Sequence, residues 1–467
     1  MKLSFRSWIS QNLDVLWYSL PMLLTGIIAL LTFYPGILTE DSGSHIRDAI
    51  FNTNTIPSPP LYTWMIRILI DIIPRPAVIG LFQIGCLAIS FGWGMSILKR
   101  RGLPSSICLA ISILFAVYPI NLLYPITVWR DIPYSIALLI MTIMVYQILF
   151  SEKEWLNQPL RWLGLGVVAL SASLLRSNGL PVSILFMMSL FLFIIIKKKS
   201  QLRKFIYSLG VFILGYLIIV FAIYPVIGFQ EDHPYRYLFI HHIAAHVANK
   251  TPQLDAGERK LLDSLYPLDQ WKYNCYSDST TLYVNGFNLA LFKEQEKQLA
   301  SIFFDLLRRD PGVEVRHMIC SSAQVWAFNI PMYIFSIEPV GGHGALAYHY
   351  ISENSKNISE LLIFQDPIFP DFQTPLYKYG KATDLVWTPA LYSYLSIVFL
   401  VLMSVFNKSW RYFILSVPVA FNSFELAIVG YSTEFRYQYM NLLVAFFLFA
   451  VLLLALINKI KIQSRGR

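Results

Sequence analysis

Residues 180–199 read LPVSILFMMSLFLFIIIKKK. The run from Leu180 to Ile196 carries no charged side chain, and it stops at three lysines. An uncharged apolar stretch of roughly 17–25 residues crosses the hydrocarbon of a bilayer as a helix, because there each backbone N–H and C=O must be bonded within the segment. Comparable runs have cores near 16–38, 76–97, 104–121, 134–150, 162–175, 205–228, 386–406, 412–430 and 439–458. Together they predict an all-α, polytopic integral membrane protein with about ten transmembrane helices. Several runs are short or broken by Pro, which leaves room for eleven or more.

The composition agrees. Of 467 residues, 56% are hydrophobic and 14% charged, where a soluble domain is about a quarter charged. The net charge of +9 lies in short clusters beside apolar runs, not in a basic stripe with interleaved aromatics, and this argues against nucleic acid as a partner. Lys2 and Arg6 precede an apolar run, Leu16–Leu38, that is too long for a cleavable signal and lacks a small-residue cleavage site, so it is expected to be a retained first span.

Lys197–Lys199 also set the orientation. With the N-terminus inside, the inner segments hold Lys99-Arg100-Arg101, Lys153 and Arg161, Lys197–Lys199 with Arg203-Lys204, Lys408 with Arg411, and a basic tail. Each is basic, as the positive-inside rule requires, and shifting the count by one span breaks the pattern. Both termini are then expected in the cytoplasm of a plasma (inner) membrane protein. The expected organisation is an N-terminal transmembrane module over 1–228 with a first outer loop at 39–75, a largely helical extracytoplasmic insert at 229–385, and C-terminal transmembrane helices at 386–467. All eight His residues fall outside. So do Cys275 and Cys320, where a disulfide would persist if the fold brings their Cα atoms within bridging distance. Cys86 and Cys108 sit in spans as packing residues.

The outer segments hold the chemistry. The first loop opens Thr39-Glu40-Asp41-Ser42-Gly43-Ser44-His45-Ile46-Arg47-Asp48. Carboxylates at a membrane-proximal helix end are costly unless they pair or function, and a partly desolvated one suits a general base. The plainer alternative is that Thr39 or Asp41 caps a short helix. Next comes Ile56-Pro57-Ser58-Pro59-Pro60-Leu61-Tyr62-Thr63-Trp64. The prolines can start a helix, and Leu61 to Ile73 is expected to lie along the interface with Arg67 and Asp71 on one face.

An acidic pair just after the first span, a short amphipathic segment and then Pro-Pro-Leu-x-x-Trp resembles the first outer loop of GT-C superfamily glycosyltransferases. Among these are the protein O-mannosyltransferases and the lipid A aminoarabinose transferases. Glu40 and Asp41 match the acidic pair, and Pro59, Pro60, Leu61 and Trp64 match the turn. The usual order is Asp-Glu, and Ser58 stands where a Lys often precedes the prolines. The resemblance implies a polyprenyl-phosphate sugar as donor, a glycan, lipid or protein as acceptor, and a second acidic position in the next outer loop, matched by Asp131 in Trp129-Arg130-Asp131. Some members bind a divalent metal (Mg or Mn) between the two loops; here Asp41 and Asp131 would be its ligands. Asp131 would otherwise orient the acceptor or pair with Arg130.

Arg176, in Leu175-Arg176-Ser177-Asn178-Gly179, and Arg436, in Glu434-Phe435-Arg436-Tyr437, run against the positive-inside bias. A guanidinium fork suits the oxygens of a lipid-linked phosphate; the alternatives are snorkelling or pairing with Glu434. The expected site therefore comprises Asp41 as general base with Glu40 and His45, the donor phosphate held by Arg176, Arg436 and Arg130, and Asp131, Asn178, Tyr437 and Trp64 around the substrates. His242 and His246 share a helix face at a spacing that can bind zinc, but no metalloprotease Glu follows; a polar helix face is the plainer reading. Residues 285–310 read as an amphipathic helix and Gly341–Gly344 as a flexible loop. Two other functions remain open: a transporter or flippase for a lipid-linked saccharide, favoured by Glu425 inside a span, and a polysaccharide polymerase or ligase.

Overall fold

The computed structural model describes residues 5–51, 60–150, 156–227, 235–249, 254–277, 279–282, 284–328, 369–380, 385–430 and 433–465. Among these the chain is almost entirely helical and has no β-strand. Eight helical stretches are long and apolar enough to cross a membrane: Leu13–Thr32, Ala77–Arg100, Asp131–Phe150, Gly179–Lys197, Lys199–Val226, Pro389–Phe406, Trp410–Val429 and Phe435–Lys461. In Gly179–Lys197 the side chains of Met188, Leu192 and Ile196 follow one another at helical spacing and are each more than half exposed. Such a stripe is a liability in water and a lipid-facing surface in a bilayer.

The chain divides into two compact units. The first comprises Met1–Glu231, Phe335–Asn422 and Tyr439–Arg467, and the second Asp232–Ile334 and Ser423–Gln438. The first unit begins with α1 (Phe5–Thr32), α2 (Glu40–Phe51), α3 (Pro60–Ile72) and α4 (Ala77–Arg100). Helix α3 has the short interfacial length expected of it, and Arg67 and Asp71 pair across one turn at 2.9 Å. Helix α4 ends in a Schellman turn: Gly102 takes φ +101° while its N–H bonds Lys99 O and the Leu103 N–H bonds Leu98 O. Lys99 and Arg100 in its last turn complement the helix dipole, and Lys99 also pairs with Asp14 of α1 at 2.6 Å. The two helices run close because Gly92 lacks a side chain. A Cβ there would collide with Ser19 Oγ and stand 2.7 Å from Val15 O, the small-residue contact common between membrane helices.

Where one span was expected over 104–121, the chain makes two helices, α5 (Ser105–Val117) and α6 (Pro119–Leu123). The cause is local. Pro119 disfavours the helical region for Tyr118, which sits at φ −64°, ψ 129°. Helices α7 (Asp131–Phe150), α8 (Pro159–Leu175), α9 (Gly179–Lys197) and α10 (Leu202–Leu217) follow. Proline opens α8 at its first position, where its missing N–H costs nothing.

The second unit holds α11 (Tyr235–Ala248), α12 (Ala256–Leu265), α13 (Glu296–Arg309) and α14 (Pro311–Ser321). Its apolar core gathers Ile240, Ile243, Leu262, Phe292, Leu299 and Leu306, all fully buried. Asp255 and Glu258 form a reciprocal capping box at the start of α12. Arg309 binds both oxygens of Glu258 at 2.8 Å, tying α13 to α12. Cys275 and Cys320 form a disulfide with Cα atoms 5.8 Å apart. The amphipathic stretch expected at 285–310 is present as Leu289–Glu294 followed by α13. The first unit closes with α15 (Pro389–Phe406) and α17 (Tyr439–Arg465); α16 (Val417–Val429) is the helix between them.

Candidate functional site

The acidic loop is built on a glycine. Gly36 adopts φ +121°, and a Cβ on it would stand 2.8 Å from the Ile126 carbonyl. Only glycine lets the two backbones meet there. They meet in a short parallel bridge: Ile37 N donates to Ile126 O at 2.9 Å and Val128 N to Ile37 O at 3.3 Å. Side chains extend the seam. Ser42 Oγ donates to Val128 O at 2.9 Å, and Trp129 Nε1 to Thr39 Oγ1 at 2.9 Å. The first loop and the loop preceding α7 are thus one sewn structure.

Thr39 caps α2. Its backbone N–H donates to Ser42 Oγ at 2.9 Å, and the Ser42 N–H to Thr39 Oγ1 at 3.3 Å. The cap therefore belongs to Thr39, and Asp41 is exposed in the first turn, where a carboxylate suits the helix dipole. Glu40 begins the helix; its side chain, like Pro59, lies outside the described residues. His45 and Asp48 are buried on the inner face of α2, and the His45 ring meets the edge of Tyr62 at 5.0 Å. Trp64, half-buried on α3, stands edge-on to Tyr224 at 5.3 Å.

Sequence reasoning missed the residue that holds the second loop. Gln83 of α4 is completely buried. Its Nε2 donates to Pro125 O at 3.0 Å and Thr127 O at 2.8 Å, and its Oε1 accepts from the Tyr62 hydroxyl at 3.4 Å. A polar side chain in the middle of an apolar run was the available signal. Replacing Gln83 by Leu removes the amide donor from Pro125 O and leaves Thr127 O with only the Trp129 N–H. A loss of about 1–3 kcal/mol is expected, read as a lowered thermal midpoint of the detergent-solubilised protein; an unchanged midpoint would show that the seam does not need it.

Asp131 opens α7. Its carboxylate meets Arg176 at 2.9 Å across two helices, with both side chains almost fully buried. The guanidinium of Arg176 also lies over the Tyr134 ring at 5.6 Å, and the Tyr134 hydroxyl donates to Asn422 Oδ1 at 2.9 Å. Burial pushes the Tyr62 hydroxyl well above the ordinary tyrosine range; the charge of Asp131 adds to this and that of Arg130 opposes it. Tyr62 is thus within electrostatic reach of the Asp131 carboxylate and the half-buried Arg130. Asn178 sits at the start of α9, beyond Arg176.

The other expected residues fall in the second unit. Arg436 pairs with Glu434 at 2.5 Å and lies over the Tyr437 ring at 5.1 Å. This is the local ion pair that its sequence neighbourhood allowed. Glu425, half-buried on α16, also belongs to this unit. His242 and His246 do share a face of α11, and what they face is Glu314 of α14, at 2.5 and 3.6 Å respectively. Gly341–Gly344 lie outside the described residues. Among the described residues, no three His, Cys, Asp or Glu side chains are grouped to hold a metal ion.

No family model, no curated protein and no solved structure matches the chain.

Proposed function

We propose that the chain is a membrane glycosyltransferase of the GT-C type, moving a sugar from a polyprenyl-phosphate donor to a hydroxyl acceptor on the extracytoplasmic side. The observation that carries this reading is the sewn pair of loops. The helix that starts with Glu40 and Asp41 is fixed by the Thr39–Trp129 and Ser42–Val128 bonds to the segment that ends in Arg130 and Asp131. An exposed acid, a half-buried guanidinium and a buried acid–guanidinium pair then belong to one construction.

The chemistry follows from those positions. The Asp41 carboxylate takes the proton of the acceptor hydroxyl. The acceptor oxygen attacks the anomeric carbon from the face opposite the phosphate, the carbon–oxygen bond to phosphate breaks, and polyprenyl phosphate leaves with inversion at carbon. Arg130 contacts the phosphate, and Arg176, oriented by Asp131 and Tyr134, adds positive charge behind it as the leaving group gains charge. Glu40 orients the acceptor, and His45, packed against Tyr62, steadies α2. No step is routed through a metal. The topology that goes with this reading has both termini cytoplasmic and counts α5 and α8 as spans, making ten.

Purified protein in nanodiscs, given polyprenyl-phosphate sugars and a panel of glycan, lipid and peptide acceptors, is expected to release polyprenyl phosphate only when an acceptor is present. Movement of the intact donor between leaflets without cleavage would identify a flippase, and transfer of whole lipid-linked glycans a polymerase or ligase; either outcome overturns the reading.

A further inference from the structure

The second unit contains a cluster that the transfer reaction does not use. On α11, His241, His242 and His246 are each at most 3% exposed, and on α14 Glu314 and His317 are equally buried. The rings touch: His317 lies 4.2 Å from His242 and 4.7 Å from His241 between centroids. Glu314 holds His242 at 2.5 Å and has His246 at 3.6 Å. His317 Nδ1 pairs with the Tyr273 hydroxyl at 2.7 Å, and His241 Nε2 with the Asn274 carbonyl at 3.0 Å. That leaves His241 Nδ1, His242 Nε2, both ring nitrogens of His246, His317 Nε2 and Glu314 Oε2 buried without a hydrogen bond. Buried polar atoms are normally satisfied, so this cluster is poised rather than settled.

Its charge capacity is lopsided. Four imidazoles face one carboxylate. Among the described residues the remaining titratable neighbour is Tyr273. From α13 the cluster meets the ring of Phe303, while Asp305, Arg308 and Arg309 are engaged with one another and with α12. Lys272 and Arg316 are exposed. Glu314 can balance one imidazolium, and among the described residues each further proton on the cluster meets like charge a few ångströms away with no second carboxylate beside it.

We propose that this histidine–glutamate cluster is an acid-sensitive latch that holds α11 against α14 and releases them when the surrounding medium acidifies. The disulfide supports this role. Cys275 directly follows Asn274 and Cys320 lies in the last turn of the helix that carries His317, so the partners of His241 and His317 at Asn274 and Tyr273 stay beside α14 when the latch opens, ready for α11 to return.

The direction of the effect can be worked out. Burial, with the charge of His242 adding, pushes His241 from the usual imidazole value of 6.5 down to about 4. Burial, with His242 and His241, pushes His317 down to about 2. Burial alone would raise Glu314, but its hydrogen bond to His242 and the nearby imidazole of His246 prevail and bring the carboxyl from 4.5 to about 2. A depressed folded value means that the opened chain binds more protons. The histidine contributions are therefore complete above pH 6.5 and decline below it, and that of Glu314 declines below 4.5.

The test is hydrogen–deuterium exchange on the full chain in nanodiscs at pH 7.5 and pH 5, with intrinsic exchange rates corrected for pH. Protection of 235–249 and 311–321 is expected to fall by roughly tenfold or more per histidine at pH 5, with α7 as the unchanged reference. His317→Phe keeps a ring in place and is expected to recover about one such factor; His241→Gln is the second variant should the first not fold. Equal protection at both pH values, or variants as acid-sensitive as the parent, would overturn the proposal. So would protection at pH 7.5 that a chelator abolishes, since the cluster would then be a metal site. None of these readings depends on sugar transfer.

Discussion

Asp131→Ala is expected to cost about 3–5 kcal/mol of stability, the usual consequence of removing one partner of a buried ion pair. The Arg176 guanidinium is 5% exposed, so water cannot replace the carboxylate, and the loss should appear as a large drop in the thermal midpoint. Arg176→Ala should be as damaging, because it strands the acid. The informative variant removes both charges. Asp131→Leu with Arg176→Met keeps much of the buried volume and is expected to recover most of the stability, since desolvating an ion pair roughly offsets its attraction. The double variant should nevertheless stay inactive in sugar transfer. A double variant as unstable as the single ones would mean that the pair organises α7 and α9 in a way that apolar packing cannot. Recovered activity would remove Arg176 from the leaving-group role.

Asp41→Asn separates chemistry from structure more cleanly. A general base contributes about 10²- to 10⁴-fold, so transfer should fall at least about a hundredfold. The fold should hardly respond. Asp41 is exposed, and the cap of α2 belongs to Thr39 and Ser42. The interaction of an exposed first-turn acid with the helix dipole is worth about 0.3–1 kcal/mol, so the melting temperature should move by a few degrees at most. Polyprenyl phosphate release by parent and variant, measured beside their melting curves, decides the matter; an active Asp41→Asn enzyme would move the base elsewhere.

The helices were legible because each rests on local information. Leu180–Ile196 stops at lysines, Gly102 ends α4, and Pro159 and Pro389 open helices where prolines belong. The break within 104–121 is local as well, since Pro119 sets the extended backbone of Tyr118. The site was legible only in parts. Asp131 and Arg176 each stood out as charges in the wrong place, yet their partnership spans the whole of α7 and α8, and the sequence offered Arg130 as the nearer candidate. Gln83, Tyr134 and Asn422 gave only the weak signal of polar groups in apolar runs. His242 and His246 announced a shared face, but Glu314 and His317 lie about 70 residues on, beyond any spacing rule.

The seam between the two loops has a consequence for biogenesis. The Ser42–Val128 and Trp129–Thr39 bonds close over 86 and 90 residues. At a synthesis rate of about 5–20 residues per second, the acidic helix waits roughly 5–20 s for the segment that will pin it. During that interval α2 has its own cap and its contacts with α3, the His45–Tyr62 packing and the Arg67 bond to Ile50 O, but not the seam. The Arg176 partner of Asp131 is made later still, and Asn422 comes 288 residues after its partner Tyr134. The proposed site therefore comes together only after residues far along the chain have been made, and a chain released early from the ribosome would hold Glu40 and Asp41 without the seam that fixes them.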